Sequence, residues 1–274
     1  MVNEEYLSRQ AKKIRSSVLE ITYRAKAPSI GCSLSIVDIL TVLYFGDILK
    51  VDADRPDWQE RDKFILSKGH GCAAFYATLA IKGFFPLKKL EEEYGRDGSM
   101  IPFHSTLRSL PGIETTNGSL GHGLALGIGM ALDARKNNRY SRTFVLVGDG
   151  ECQEGSVWES VMFAGFQRLK NLVMIVDNNN LQTVGHTDNV LDIEPMERKL
   201  EAFGWSVKRV NGHSLTELIE VLKSEHRNKP LAVIAQTIKG KGISFMENVT
   251  QWHGNCPNLE EYREAKRELE ETET

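Results

Sequence analysis

The sequence predicts a doubly wound α/β fold, a mostly parallel sheet with helices on both faces. Three observations carry this expectation. Residues 143–147 and 172–176 are continuous apolar, β-branched runs, the pattern of strands covered on both faces. Residues 158–169 between them recur at helical spacing, so the unit reads strand, helix, strand, and a right-handed crossover makes the two strands parallel. Residues 207–210 and 231–235, separated by the helical stretch 215–225, continue the alternation.

The remaining elements follow in order. Leu7, Ala11, Ile14, Val18 and Ile21 recur every three or four residues and form the apolar stripe of a first helix. Residues 35–49 read as a second helix with Ser35 as its N-cap, and 52–57 with Pro56 as a loop. Residues 63–66 read as a short strand, 71–83 as a helix, and 258–271 as an exposed, charged terminal helix. No internal repeat and no Gly/Ser-rich or Pro-rich linker divides the chain, so 1–274 is expected to be a single domain.

Composition narrows the function. With 34 basic against 37 acidic side chains the net charge is -3, which provides no basic field for a nucleic-acid backbone. The apolar run 39–45 falls well short of the roughly 18 residues of a membrane-spanning helix. The N-terminus is charged from Glu4 onward and has no apolar signal region. Cys32, Cys72, Cys152 and Cys256 are scattered without metal-ligand spacing, so a disulfide framework or zinc site is not expected and a reducing, cytoplasmic setting is.

In open α/β sheets ligands bind beyond the carboxyl ends of the strands. The first strong strand runs into Gly148-Asp149-Gly150 and the second into Asp177-Asn178-Asn179-Asn180. Paired glycines let the backbone approach an anion, while a carboxylate and a side-chain amide offer hard oxygen ligands; together they describe a divalent metal bridged to a phosphate. Gly-Asp-Gly alone also makes ordinary turns, but here Asp149 and Asn179 stand 30 positions apart at one edge of a single βαβ unit.

At these residues the sequence resembles the thiamine-diphosphate-binding half of the transketolase family. The resemblance runs from about Leu7 to the terminal helix. It includes the segments 62–71 (DKFILSKGHG), 102–104 (PFH), 111–121 (PGIETTNGSLG) and 148–159 (GDGECQEGSVWE), and then 238–242 (IKGKG) with 252–254 (WHG), in the family's order.

The resemblance implies thiamine diphosphate as cofactor, with Mg2+ or Ca2+ held by Asp149, the Asn179 side chain and the Leu181 carbonyl. It implies that the Gly150 amide faces phosphate, that His70 and His253 bind the diphosphate or line the reaction centre, that Gly118 and Leu120 contact the cofactor rings, and that His104 meets the substrate. His122, His186, His213 and His226 read as ordinary polar residues. Glu154 and Glu159 would otherwise be solvated charges at a helix N-terminus; in the family such positions reach the cofactor-bearing interface between protomers and a shared-proton acidic network.

In that family a glutamate on a second, pyrimidine-binding domain activates the cofactor, and this sequence holds no such segment. The expectation is a split enzyme whose separately encoded partner carries the glutamate, assembled as an α2β2 heterotetramer that acts on sugar phosphates; a fragment of a longer enzyme is the alternative. Ser29 stands where the family carries a histidine that handles donor hydroxyls, which places the usual pentose phosphates in question. The expected reaction is transfer of a two-carbon ketol unit from a ketose to an aldose. Competing readings are a 1-deoxyxylulose-5-phosphate-synthase-like decarboxylating carboligase and a noncatalytic assembly subunit. A nucleotide-binding module fits less well, since Gly121, Gly123, Gly127 and Gly129 lack the dinucleotide spacing and suit close helix packing.

Overall fold

Successive strand residues point to opposite faces, and in this chain both faces are apolar, so the sheet must be covered twice. The computed structural model describes residues 3–226 and 228–271; the remainder of the expected 1–274 domain, residues 1, 2, 227 and 272–274, lies outside the described residues. In chain order the elements are α1 (Glu4–Ala25), α2 (Ile30–Leu34), α3 (Val37–Phe45), β1 (Lys63–Leu66), α4 (Cys72–Lys82), α5 (Leu87–Glu93), α6 (Gly123–Lys136) and β2 (Thr143–Gly148). They continue with α7 (Gly155–Phe166), β3 (Leu172–Asn178), the short hairpin β4 (Leu181–Gln182) and β5 (Gly185–His186), α8 (Thr187–Leu191) and α9 (Met196–Ala202). The last are β6 (Ser206–Asn211), α10 (Leu215–Lys223), β7 (Leu231–Gln236) and α11 (Leu259–Glu271).

The main sheet has the order β1-β2-β3-β7-β6 and every neighbouring pair is parallel. Phe64, Leu66, Phe144, Leu146, Val173, Ile175 and Val233 face one core with residues of α1, α3, α4, α10 and α11. Ile65, Val145, Val147, Met174, Val176 and Ile234 face a second core, closed by α6, α7 and α9. Because all strands run the same way, their carboxyl ends form one edge. The register sets Gly148 beside Asp177 and Asp177 beside Ala235, so the segments after β2, β3 and β7 emerge side by side.

Several elements differ from the sequence expectation. The helix expected over 35–49 is α3, which runs only from Val37 to Phe45 with Ile36 rather than Ser35 at its N-cap. The short helix α2, which the sequence reading did not foresee, ends at Leu34 just before Ser35. The Ser35 hydroxyl does not cap the start of α3; it lies 3.1 Å from the Cys32 carbonyl and 2.8 Å from Asp177 Oδ2, a partner 142 residues away that no local pattern reveals. Helix α7 begins three residues earlier than expected, at Gly155. Helix α11 is amphipathic rather than wholly exposed: Ala265 and Leu269 are buried against α1, and Tyr262 stacks on Tyr23 with centroids 4.1 Å apart.

The glycines of α6 divide by position. A side chain at Gly127 would strike Val145 of β2, so this glycine serves close helix-to-strand packing, whereas Gly129 faces open space. Gly127→Ala is therefore expected to destabilise the chain by about 1–3 kcal/mol through overpacking. Gly129→Ala should stabilise it by about 0.5–1 kcal/mol by relieving the helical cost of glycine. Urea midpoints of the two variants check the contrast, and equal midpoints would contradict it.

Candidate active site

The carboxyl edge of the sheet gathers polar side chains from four strands. Asp177, the penultimate residue of β3, is fully buried and accepts four hydrogen bonds. They come from Lys68 Nζ just beyond β1, Thr237 Oγ1 just beyond β7, Ser35 Oγ between α2 and α3, and Asn179 Nδ2 at 3.0 Å. Burial opposes the charge on both members of the ion pair, but their mutual attraction and these donors prevail, so the Asp177 pKa is lowered and the Lys68 pKa raised. Lys68 also donates to the Cys32 carbonyl at 3.1 Å.

Asp149 lies beside this pair. It is buried, its Oδ1 accepts the Gly150 N–H at 2.7 Å, and its Oδ2 accepts the Asn180 N–H. Burial, then repulsion from Asp177, pushes its pKa up to about 6. Among the described residues Asp149 makes no ion pair, because the nearby Lys68 is committed to Asp177. Asn179 is buried too, and its Oδ1 accepts the Leu181 N–H at 3.1 Å. A carboxylate lacking a counter-charge and a carboxamide oxygen are hard oxygen donors, to which the Leu181 carbonyl would add a third, so the chemistry of these residues fits a divalent cation.

A third cluster is cationic. Lys239, 1% exposed, points its ammonium at His253 Nδ1 (3.0 Å) and Cys32 Sγ (3.6 Å) and has no carboxylate partner among the described residues. The His70 and His253 rings are 5.2 Å apart. Burial, then the nearby lysine charges, holds both imidazoles neutral: His70 is driven well below its ordinary range and His253 down to about 4. The ligand atoms of Cys32, His70 and His253 lie within 4.8 Å of one another, a set that could hold a transition metal. The Lys239 ammonium, which has no carboxylate partner among the described residues, stands against that cluster, however, so its electrostatics favour an anion over a cation. An unneutralised buried lysine beside two neutral imidazoles fits a diphosphate.

His104 lies close to this region. It is exposed on one side, partial desolvation lowers its pKa, and a side chain at Gly69 would come within 2.7 Å of its Cδ2 and 3.0 Å of the Gly118 amide. Three chain segments thus meet where only a glycine fits. Leu120 is half-buried on the next turn, and the following residue, Gly121, approaches the Glu154 side chain. Glu154 and Glu159 are exposed. Ser29 holds a left-handed backbone (φ 70°) and donates its hydroxyl to the His253 carbonyl at 2.8 Å. His122 and His186 are exposed and His226 is partly exposed, none of them in the cluster.

Four residues of the site carry no recognisable signal of their role in the sequence. Lys68 and Asp177 lie within the motifs but read as spacers, and Lys239 reads only as part of a glycine-rich turn. Glu151 is the fourth: buried, it accepts Ser67 Oγ, the Gly121 N–H (2.8 Å) and the Gly148 N–H (3.1 Å), so it ties the 118–123 turn to the Asp149 loop. The one hint shared by all four is a charged residue inside or shortly after an apolar run, a position that demands a partner.

Residues 7–272 match the family described as transketolase, thiamine diphosphate binding domain. The chain is 43% identical over 269 residues to an apulose-4-phosphate transketolase subunit of Phocaeicola vulgatus, covering 97% of this chain and 95% of that one. It is 40% identical to the 6-deoxy-6-sulfo-D-fructose transketolase subunit SqwG of a Clostridium species, covering 96% of each. Among solved structures, transketolase from Campylobacter jejuni superimposes with a TM-score of 0.90 at 30% identity over 98% of this chain. The chain spans 43% of that longer protein.

The Asp177–Lys68 pair makes the site's framework testable. Lys68→Met leaves a buried carboxylate without its cation and is expected to cost about 3–5 kcal/mol. Adding Asp177→Asn should recover part of that loss, and urea unfolding of the single and double variants measures both.

Proposed function

The chain belongs to the transketolase thiamine diphosphate binding family, and from that premise we propose that it is the metal- and diphosphate-binding subunit of a split transketolase. With a separately encoded partner it transfers a two-carbon ketol unit from a ketose to an aldose. The observation that carries this reading is that two buried charges of opposite sign without ion-pair partners among the described residues, the Asp149 carboxylate after β2 and the Lys239 ammonium after β7, follow strands that end at one sheet edge. A divalent cation bound to a diphosphate satisfies both.

In this reading Asp149, the Asn179 carboxamide and the Leu181 carbonyl hold Mg2+ or Ca2+. The Gly150 amide, His70, His253 and Lys239 face the diphosphate, Gly118 and Leu120 lie along the cofactor rings, and Glu154 borders the cofactor where the partner docks. When bound, thiamine diphosphate supplies the carbon nucleophile; the chain binds, orients and excludes water. His253, held neutral, orients by hydrogen bonding rather than by carrying a proton. His104, open to solvent, is the imidazole placed to exchange a proton with substrate. Ser29 is committed to the His253 carbonyl, so it shapes the pocket rather than acting as a base.

Two relatives are named for a sugar phosphate and a sulfo-sugar, which supports a ketose bearing an anionic group as donor. Their names as subunits, with 95–96% of each relative covered, support a partner that carries the activating glutamate. Met162, Phe163 and Phe166 of α7 are exposed, Phe166 by 80%, and Leu126 of α6 is exposed as well. Helices α6 and α7 pack side by side, and Glu159 is exposed on α7 too. Exposed apolar side chains of this kind support burial against a further chain in an α2β2 assembly. No helix among the described residues is long and apolar enough to cross a membrane, and four free cysteines support a reducing cytoplasmic setting.

Turnover is expected only when chain and partner are combined, with ketol transfer from a ketose and none from pyruvate; product analysis decides, and pyruvate decarboxylation would favour a synthase. Efficient transfer by the chain alone would overturn the split-enzyme reading. Asp149→Ala should abolish metal-dependent thiamine diphosphate binding in calorimetry while the circular dichroism spectrum is retained. Metal and proton compete for the raised Asp149 carboxylate, so apparent metal affinity should fall about tenfold per unit as pH drops below about 6. A flat titration between pH 7 and 5 would contradict that assignment.

A further inference from the structure

One histidine outside the cofactor cluster sits directly behind it. His213, in the turn after β6, is 11% exposed; its Nδ1 lies 2.7 Å from Asp38 Oδ2 and its Nε2 accepts the Ile238 N–H at 2.8 Å. A backbone N–H only donates, so Nε2 holds the lone pair and the ring proton resides on Nδ1, donated to Asp38. Asp38 of α3 is fixed in turn by Arg15 of α1, which pairs with the same carboxylate oxygen and donates its Nε–H to the Lys241 carbonyl at 3.2 Å. The two anchored backbone groups, the Ile238 N–H and the Lys241 carbonyl, bracket Lys239 in the chain. Between them the Gly240 N–H donates to the Gly31 carbonyl at 3.0 Å, and the Lys239 carbonyl accepts the Asn248 N–H at 2.9 Å. The Lys239 ammonium meets only an uncharged imidazole and a sulfur, so the direction of its side chain is set by this backbone frame rather than by a partner of its own.

We propose that His213 is a positioning residue for anion binding: by holding the Ile238 peptide it aims the Lys239 ammonium at the diphosphate, an inference that rests on the reading of the site given above. His213 touches neither cofactor nor substrate and acts through the backbone. Two conservative variants separate its two hydrogen bonds. In His213→Asn the side-chain amide replaces Nδ1–H toward Asp38 but stops short of Ile238. In His213→Gln an acceptor oxygen reaches the position of Nε2 and retains the Ile238 bond.

The test uses the full-length chain, calorimetric titration with magnesium pyrophosphate as the probe, and hydrogen exchange in the peptide spanning 231–246. His213→Asn should weaken binding about tenfold, the worth of one hydrogen bond in a buried frame, and speed exchange at Ile238. His213→Gln should stay within about twofold of the parent with protection retained. In a Lys239→Met background the His213→Asn penalty should vanish, because it acts through the ammonium. Arg15→Met loosens the second bracket and should weaken the same titration several-fold; no effect there, together with a His213→Asn chain that does not fold, would count against the proposal. Equal losses in the Asn and Gln variants, or faster exchange with unchanged affinity, would overturn this inference alone. Failure of the parent chain to bind magnesium pyrophosphate would overturn the anion site itself.

Discussion

The buried Asp177–Lys68 pair is the constraint around which the carboxyl edge of the sheet is organised. Removing two charges from water is costly, and the pair is tolerated only because Ser35, Thr237, Asn179 and the Cys32 carbonyl complete its hydrogen bonds. Those partners come from the ends of strands and the junction between two helices. Satisfying the pair therefore fixes where β1, β3, β7 and the α2–α3 corner stand relative to one another. Ser35 is drawn inward for this purpose, so it stands in the corner between α2 and α3 instead of capping the helix expected to start there.

The same commitment leaves other charges without partners. Lys68 is spent on Asp177, so Asp149 stays buried with backbone amides and a carboxylate neighbour, and its proton affinity rises. Lys239 is buried with only uncharged neighbours at its ammonium. Each arrangement is unfavourable in the free chain and is relieved by a ligand of opposite sign, so binding and folding are linked: a ligand that binds only the folded state stabilises it by mass action. The neutral imidazoles of His70 and His253 fit the same logic, because they adjoin an anion without adding charge that the free chain must bear.

The frame behind Lys239 shows how a surface-side element reaches the site. Arg15 and Asp38 lie on helices of one face of the sheet, yet through His213 and the Lys241 carbonyl they control backbone beside the cationic cluster. On the opposite face, Glu151 draws the Gly121 turn onto the loop after β2. A carboxylate on each side thus converts helix packing into the placement of loops.

The alternating strands, the first helix and the motifs after β2 and β3 were legible in the sequence because they follow from local periodicity: strands buried on both faces must be continuously apolar, and polar residues that end such strands mark their carboxyl edge. Asp149 and Asn179 were legible as candidates for the same reason, and His70 and His253 through the motifs that hold them. Their company was not. The ring contact between His70 and His253 joins residues 183 positions apart, and Ser35 finds Asp177 across 142. Glu151 and Lys239 were hidden because a charged residue in a polar loop reads as solvated until the tertiary structure buries it. The sequence by itself determined the parallel α/β class and which residue types stand at the strand ends, since both depend on neighbours along the chain. Only the tertiary structure decided which charges are paired, which are left unmatched and which imidazoles are held neutral, because those properties depend on burial and on partners distant in sequence.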